Sequence, residues 1–208
     1  MTGMPHRIVL ASASAARQAM LAQAGIAADR QPTGLDEEPI KAELRAAGAG
    51  AGEVALALAE AKARAATDRM RPAAAQGEVI VIGADQVLTC GDVWFDKPED
   101  RAAARRQLLS LRGRSHRLTS AVVVLGPGRE AWHAVDSADL TMRQFSDRAL
   151  DAWLQADPDA GCGSVGGYRV EAPAIQLFER LSGDWFTILG LPLLALLDRL
   201  RVLGAVPA

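Results

Sequence analysis

The sequence predicts an α/β protein. Strand-like and helix-like apolar periods alternate along the chain, and residues 79–82 form a β-branched run suited to a strand covered on both faces. The helix-like segments are also bounded by capping residues. In order, residues 8–12 read as a short buried strand, and Ser14 caps a helix that runs to about residue 24 and stops at Gly25. Leu35-Asp36-Glu37-Glu38-Pro39 reads as an acidic loop, and the Gly/Ala stretch 46–52 as a mobile one. Residues 53–67 have a helical pattern, with Val54, Leu58 and Ala61 on one face. The strand at 79–82 ends in Gly83-Ala84-Asp85. Pro98, Glu99 and Asp100 open a helix that Gly113 closes. Segments 116–125 and 131–143 read as strands joined by Gly126-Pro127-Gly128, hence a hairpin. Ser146 caps a further helix to about residue 156, and Pro192 suits the first turn of a last helix to about residue 203.

Composition narrows the function. The 208 residues suffice for one sizeable domain or two lobes, half of them are apolar, and the net charge is −2. With no basic excess, duplex nucleic acid is not an expected partner, so any nucleotide chemistry should concern small nucleotides. Cys90 and Cys162 form neither a zinc spacing nor a disulfide framework, which suits a reducing compartment. The apolar run 188–197 ends at Asp198, far short of the roughly 20 residues of a spanning helix. A cytoplasmic location without membrane contact is the expectation. Of 23 basic residues only Lys41, Lys62 and Lys97 are lysines, so each invites a specific explanation.

Several residues could carry chemistry. Leu10-Ala11-Ser12-Ala13-Ser14-Ala15-Ala16-Arg17 is a strand, a serine-bearing turn and a helix start. Free N–H groups, the helix dipole, two hydroxyls and a first-turn Arg make it a possible phosphate cradle. A plain serine cap with a solvated Arg17 is the commoner meaning of such a turn. Asp85, just past an apolar strand, stands where ligands of open α/β sheets gather and could hold a divalent cation or take a proton from water. It could equally cap a turn. Lys97-Pro98 places a cation at a helix start, unfavourable unless an anion is near. Lys62 reads as a mid-helix charge, ordinarily facing solvent.

Other chemistries fall away. Gly161-Cys162-Gly163-Ser164-Val165-Gly166 matches G-x-G-x-x-G, but no strand precedes it. Tyr168-Arg169-Val170-Glu171 alternates like a strand instead of opening a helix, so the motif reads as a flexible glycine loop. His6, His116 and His133 are dispersed, and there is no G-x-S-x-G elbow or Walker lysine.

Taken together, Leu10-Ala11-Ser12-Ala13-Ser14, Asp36-Glu37, residues 59–63 around Lys62, Gly83-Ala84-Asp85-Gln86 and Lys97-Pro98 resemble the Maf family of nucleotide pyrophosphatases. Residues 111–116, Phe178-Glu179-Arg180-Leu181-Ser182-Gly183 and Gly190-Leu191-Pro192-Leu193 continue the resemblance in family order over nearly the whole chain. It implies one domain over residues 1–208, with two lobes around a cleft and a central mixed sheet, similar to the inosine triphosphate pyrophosphatases. It also implies cleavage of a nucleoside triphosphate to monophosphate and pyrophosphate with Mg²⁺ or Mn²⁺. The residue matching Asp85 is the family's proton acceptor; Glu37 and Asp85 would serve the metal, and Ser12, Ser14, Arg17, Lys62 and Lys97 the phosphates. Homodimerisation is an expectation from the family.

Departures concern the base. Many members carry Ser-x-Ser-Pro-Arg-Arg, whereas Ala15 and Ala16 replace the proline and first arginine here. The branch resembling 7-methyl-GTP pyrophosphatase has Trp, Gln and Glu at the positions of Ala16, Gln86 and Glu171, and the dTTP/UTP branch has Arg, Thr and Gln. Two of the three positions favour the 7-methyl-GTP branch. A carboxylate at Glu171 could pair with guanine N–H groups or balance a cationic base. The alternatives are a dTTP/UTP-type enzyme and a nucleotide-binding regulator of cell division that needs no turnover.

Overall fold

The computed structural model describes residues 6–70, 79–126, 131–156 and 162–207. Its elements are β1 (Arg7–Ala11), α1 (Ala15–Gln23), β2 (Ala28–Arg30), α2 (Glu38–Ala46), α3 (Ala51–Met70), β3 (Val79–Cys90) and β4 (Val93–Phe95). There follow α4 (Arg101–Leu111), β5 (Ser115–Leu125), β6 (Trp132–Met142), α5 (Asp147–Ala156), β7 (Phe178–Ser182), α6 (Trp185–Ile188) and α7 (Leu193–Val202). The α/β class therefore holds, with a mixed sheet in the order β2-β1-β3-β5-β6-β7 and β4 paired to β3. β1 runs parallel to both β2 and β3, while β7 is antiparallel to β6. The turn expected at Gly126-Pro127-Gly128 lies largely outside the described residues, although the strands on either side are present.

The chain forms two compact units. The first comprises residues 1–86, 120–136 and 185–208. Its core joins Ile8 and Leu10 of β1, Leu21 of α1, Ile80 and Ile82 of β3, Val122 and Val124 of β5, and Leu196 and Leu200 of α7. β1 and the first half of β3 are buried on both faces, which is why they read as continuous apolar runs.

The second unit comprises residues 87–119 and 137–184. Leu108 and Leu111 of α4, Leu118 of β5, Leu140 and Met142 of β6 and Leu150 of α5 are all fully enclosed. There His116 Nε2 lies 2.6 Å from the Tyr168 hydroxyl, and Phe178 packs edge-on to Tyr168. Gly166 and Gly167 lie in a single 3₁₀ turn, Val165–Gly167, with φ of +78° and +75°. A Cβ on Gly166 would sit 2.6 Å from Leu88 Cδ1. The glycine segment is thus packed from Val165 onward rather than a flexible loop, because close approach requires the glycines. Gly161 lies outside the described residues.

Four expectations are corrected. Residues 38–46 are helical (α2) and Ala51 and Gly52 belong to α3, so only residues 47–50 join the two helices, as a short turn and not a mobile loop. α2 fully buries no residue, but Ile40 and Leu44 lie half-buried on one face at helical spacing, and Pro39 at its start is a favourable helix opener, so its period was present and overlooked. β3 continues through Asp85 to Cys90, because Leu88, Thr89 and Cys90 pair with β4. Helix α4 starts at Arg101 behind the Asp100 cap, which accepts from the Ala103 N–H at 2.6 Å, and this leaves Lys97 in the preceding loop. Tyr168 is extended, but Tyr168-Arg169-Val170-Glu171 belongs to no strand and turns at Val170 and Glu171.

One close approach positions the site. The last parallel pair between β1 and β3 is Ala11 with Gly83, and α3 crosses directly over Gly83. A Cβ there would overlap the Ala59 carbonyl oxygen and lie 2.8 Å from Ala63 Cβ. We expect Gly83→Ala to push α3 off the strand and cost about 1–3 kcal/mol, measured as a lower urea midpoint at unchanged slope.

Candidate active site

Just beyond that pair, β1 ends and its residues turn into α1. Ser12 is buried, and its Oγ accepts from the Ser14 N–H at 3.2 Å and from Arg17 Nη1 at 3.1 Å, leaving its own hydrogen to donate. Ser14 caps α1, with Oγ accepting from the Arg17 N–H at 3.3 Å. Ala16 is half-buried beside them.

Arg17 is not a solvated side chain. It is buried, and it donates from Nε to the Gly190 carbonyl at 2.7 Å and from Nη1 to the Ala84 carbonyl at 3.0 Å. Burial pulls the guanidinium below its ordinary value, opposed by the negative charges of Asp85 and Glu37. Three of its five N–H donors are committed to the protein, and Nη2 carries the other two.

Asp85 is buried within β3 rather than at its end, yet it lies two residues past the last β1 pairing. The expected edge therefore exists, but it belongs to the parallel part of the sheet. Lys62 of α3 bridges the two acids: Nζ donates to Asp85 Oδ1 and, at 2.8 Å, to Glu37 Oε1. Its side chain is only 12% exposed, so the solvent-facing explanation fails. Glu37 occupies the N-cap position of α2 but makes no side-chain cap; its carboxylate turns to Lys62 instead.

Gln86, the next residue on the strand, points to the opposite face from Asp85. Its Nε2 donates to Ser120 Oγ at 3.0 Å and to the carbonyls of Thr187 and Ile188 at 3.1 and 3.0 Å. The first unit thus brings together Ser12, Ser14, Ala16, Arg17, Glu37, Lys62, Asp85 and Gln86. Lys97 and Glu171 belong to the second unit, where both are exposed.

Sequence reasoning missed Ser120, Thr187 and Gly190, which hold this site from behind. Gly190 did carry a signal, as the first residue of Gly190-Leu191-Pro192-Leu193; at φ +99° it adopts a conformation that favours glycine.

Among the described residues no cluster of three or more His, Cys, Asp or Glu side chains forms a metal cage. Two neighbouring carboxylates nevertheless fit Mg²⁺ or Mn²⁺ well, because such an ion takes one or two carboxylates and completes its shell with water and substrate phosphates. Glu37 and Asp85 would be those ligands.

A cationic turn at the carboxyl edge of the parallel strands, beside two carboxylates, brings together the groups that a phosphorylated substrate would meet. The Maf-like protein family model matches residues 7–203, and the chain belongs to that family. It is 50% identical to a nucleoside triphosphate pyrophosphatase of Paramagnetospirillum magneticum over 94% of this chain and 98% of the relative. A relative of the same name from Granulibacter bethesdensis is 47% identical over 94% of this chain and 96% of its own length. A 7-methyl-GTP pyrophosphatase of Mesorhizobium japonicum is 44% identical over 98% and 99% respectively.

Proposed function

We propose that this protein hydrolyses a nucleoside triphosphate to its monophosphate and pyrophosphate, with a leaning to 7-methyl-GTP. The observation that carries the reading is the Lys62 bridge between Asp85 and Glu37, beside the turn that Arg17 supports. Ser12 and Ser14 and the first N–H groups of α1 receive phosphate oxygens, with Arg17 and Lys62 as counter-charge. Asp85 takes the proton of the water that attacks the α-phosphorus, and the P–O bond to pyrophosphate breaks. A divalent cation, when bound, withdraws charge from the phosphate oxygens and the leaving pyrophosphate. Lys62 has a third N–H donor to offer an incoming phosphate while it still orients both acids.

Lys97 and Glu171 enter through the resemblance, Lys97 for phosphate and Glu171 for the base. The 7-methyl-GTP leaning rests on Gln86 and Glu171 together with relatives of that name at 44% identity. The proposal includes a cytoplasmic location, which two free cysteines suit; among the described residues no helix is long and apolar enough to cross a membrane. It also includes a homodimer, which sedimentation would show.

The test is pyrophosphate release from 7-methyl-GTP, GTP, CTP, UTP and dTTP with Mg²⁺ or Mn²⁺. We expect turnover that ceases on chelation, with 7-methyl-GTP preferred. Glu171→Gln should reduce that preference by about ten-fold, the value of one charge-assisted hydrogen bond, and Ala16→Trp should strengthen it by supplying a stacking plate. No release from any nucleotide would refute the activity, and an unchanged preference in Glu171→Gln would refute the assignment of the base.

A further inference from the structure

We propose that Lys62 is a built-in counter-ion that keeps Asp85 and Glu37 from taking up a free divalent cation, so that the protein admits its metal only as a metal–nucleotide complex. The nucleotide half of this statement rests on the pyrophosphatase reading; the metal half stands on the first unit alone. A single Nζ donates to both acids, to Asp85 Oδ1 and, at 2.8 Å, to Glu37 Oε1. The Lys62 and Asp85 side chains are 12% and 10% exposed, so salt and water screen this bridge little.

Within this group the charges already balance. Asp85 and Glu37 supply two negative charges, and Lys62 sets one positive charge between them. The second positive charge is the buried guanidinium of Arg17, which the charges of both acids support against the cost of burial. Affinity for a hard divalent cation follows the count of anionic ligands. A free ion would meet two carboxylates that an ammonium already neutralises by half, with a guanidinium close by, and both cations repel it.

A triphosphate reverses that balance. It brings several negative charges of its own, and Mg²⁺ characteristically binds through one or two carboxylates together with substrate phosphates. Each acid has a second oxygen to give such an ion, so Lys62 can keep its bridge while the complex binds. The exclusion is therefore electrostatic: it follows the charge at position 62 and not the shape of the side chain.

The experiment titrates Mn²⁺ into nucleotide-free protein and follows the EPR signal of the free ion, for wild type, Lys62→Met, Lys62→Gln and Lys62→Arg. We expect the two neutral variants to bind Mn²⁺ at least about ten-fold more tightly than wild type, since a like charge beside the ion is gone. Lys62→Arg, which keeps the charge, should bind no more tightly than wild type. Adding Glu37→Gln to Lys62→Met should abolish the gain, which locates the ion at this pair. Mn²⁺ should also raise the melting temperature of the neutral variants more than that of wild type. Turnover should fall in the same variants, so that tighter metal accompanies slower reaction, a pairing that general damage to the fold does not produce. Lys62→Gln keeps an N–H for the acids and tests the same point if Lys62→Met fails to fold. Calorimetry with the α,β-methylene analogue of the nucleotide that turns over should show binding to wild type at least about ten-fold tighter with Mn²⁺ than with EDTA. Wild type that binds free Mn²⁺ as tightly as the neutral variants overturns the proposal, and so does an analogue whose affinity ignores Mn²⁺. If wild type turns over no nucleotide, the pyrophosphatase reading falls while the Mn²⁺ titration still decides the role of Lys62.

Discussion

Asp85→Asn lowers pyrophosphate release by about 10²–10⁴-fold, the usual contribution of a positioned general base, in a protein that keeps its thermal transition. The amide has the shape of the carboxylate, and its Oδ1 still accepts from Lys62, which retains Glu37 as a charged partner. The fold contacts of β3 are made by its backbone and by Val81, Ile82 and Ala84, all buried neighbours that the change leaves untouched. Nucleotide binding without turnover should persist, because one negative charge is removed from beside the phosphates. Steady-state kinetics, calorimetric binding and a melting curve on one preparation check all three. A variant that turns over at the wild-type rate would remove Asp85 from the chemistry. One that stays inactive yet preserves a cellular role would favour a binding regulator.

Acid should destabilise the protein through His116 before its carboxylates matter. Burial lowers the His116 pKa from 6.5 to about 4, and the opposing pull of Asp139 does not overcome it. The imidazolium would carry an N–H on both ring nitrogens, and Nδ1 has no hydrogen-bond partner among the described residues. The folded imidazole therefore stays neutral while the unfolded one takes up a proton below its ordinary value. Unfolding binds the proton, so stability is complete above about pH 6.5, falls as the pH drops, and is lost by about pH 4, to a total of about 3 kcal/mol. Asp139 and Asp147 are held below the ordinary carboxylate range, first by hydrogen bonds from Arg117 and Arg112 respectively. Both are lost only at lower pH, outside this window. Urea unfolding at pH 7, 5.5 and 4 should show the slope, and His116→Gln should flatten it.

Elements with a covered apolar face were legible: β1, α1, β3, α4, β5 and α5 follow from period and caps. α2 was not, because its apolar stripe is short, essentially Ile40 and Leu44 four residues apart, and the acidic run with Pro39 looked like a loop. The far half of β3 was hidden because Asp85 and Gln86 interrupt the apolar run, although a strand needs only backbone partners to continue. Residue types and motif order pointed to Asp85, Lys62, Glu37 and Arg17. Their pairings were not readable, since Lys62 meets Asp85 across 23 positions and Arg17 meets Gly190 across 173. Gln86 shows the same limit: its identity suggested the base, and only the fold revealed three internal acceptors.

The capped end of α6 has an evolutionary corollary. A threonine at the position of Gln86, as in the branch resembling dTTP/UTP pyrophosphatases, is too short to span from the strand to two helix carbonyls. A chain with threonine there would have to support this turn by other neighbours, so the contacts of Ser120 and Thr187 depend on the glutamine. Substitutions at these three sites should therefore be coupled in their effect on stability, so that the losses of Gln86→Thr and Ser120→Ala in urea midpoint do not add.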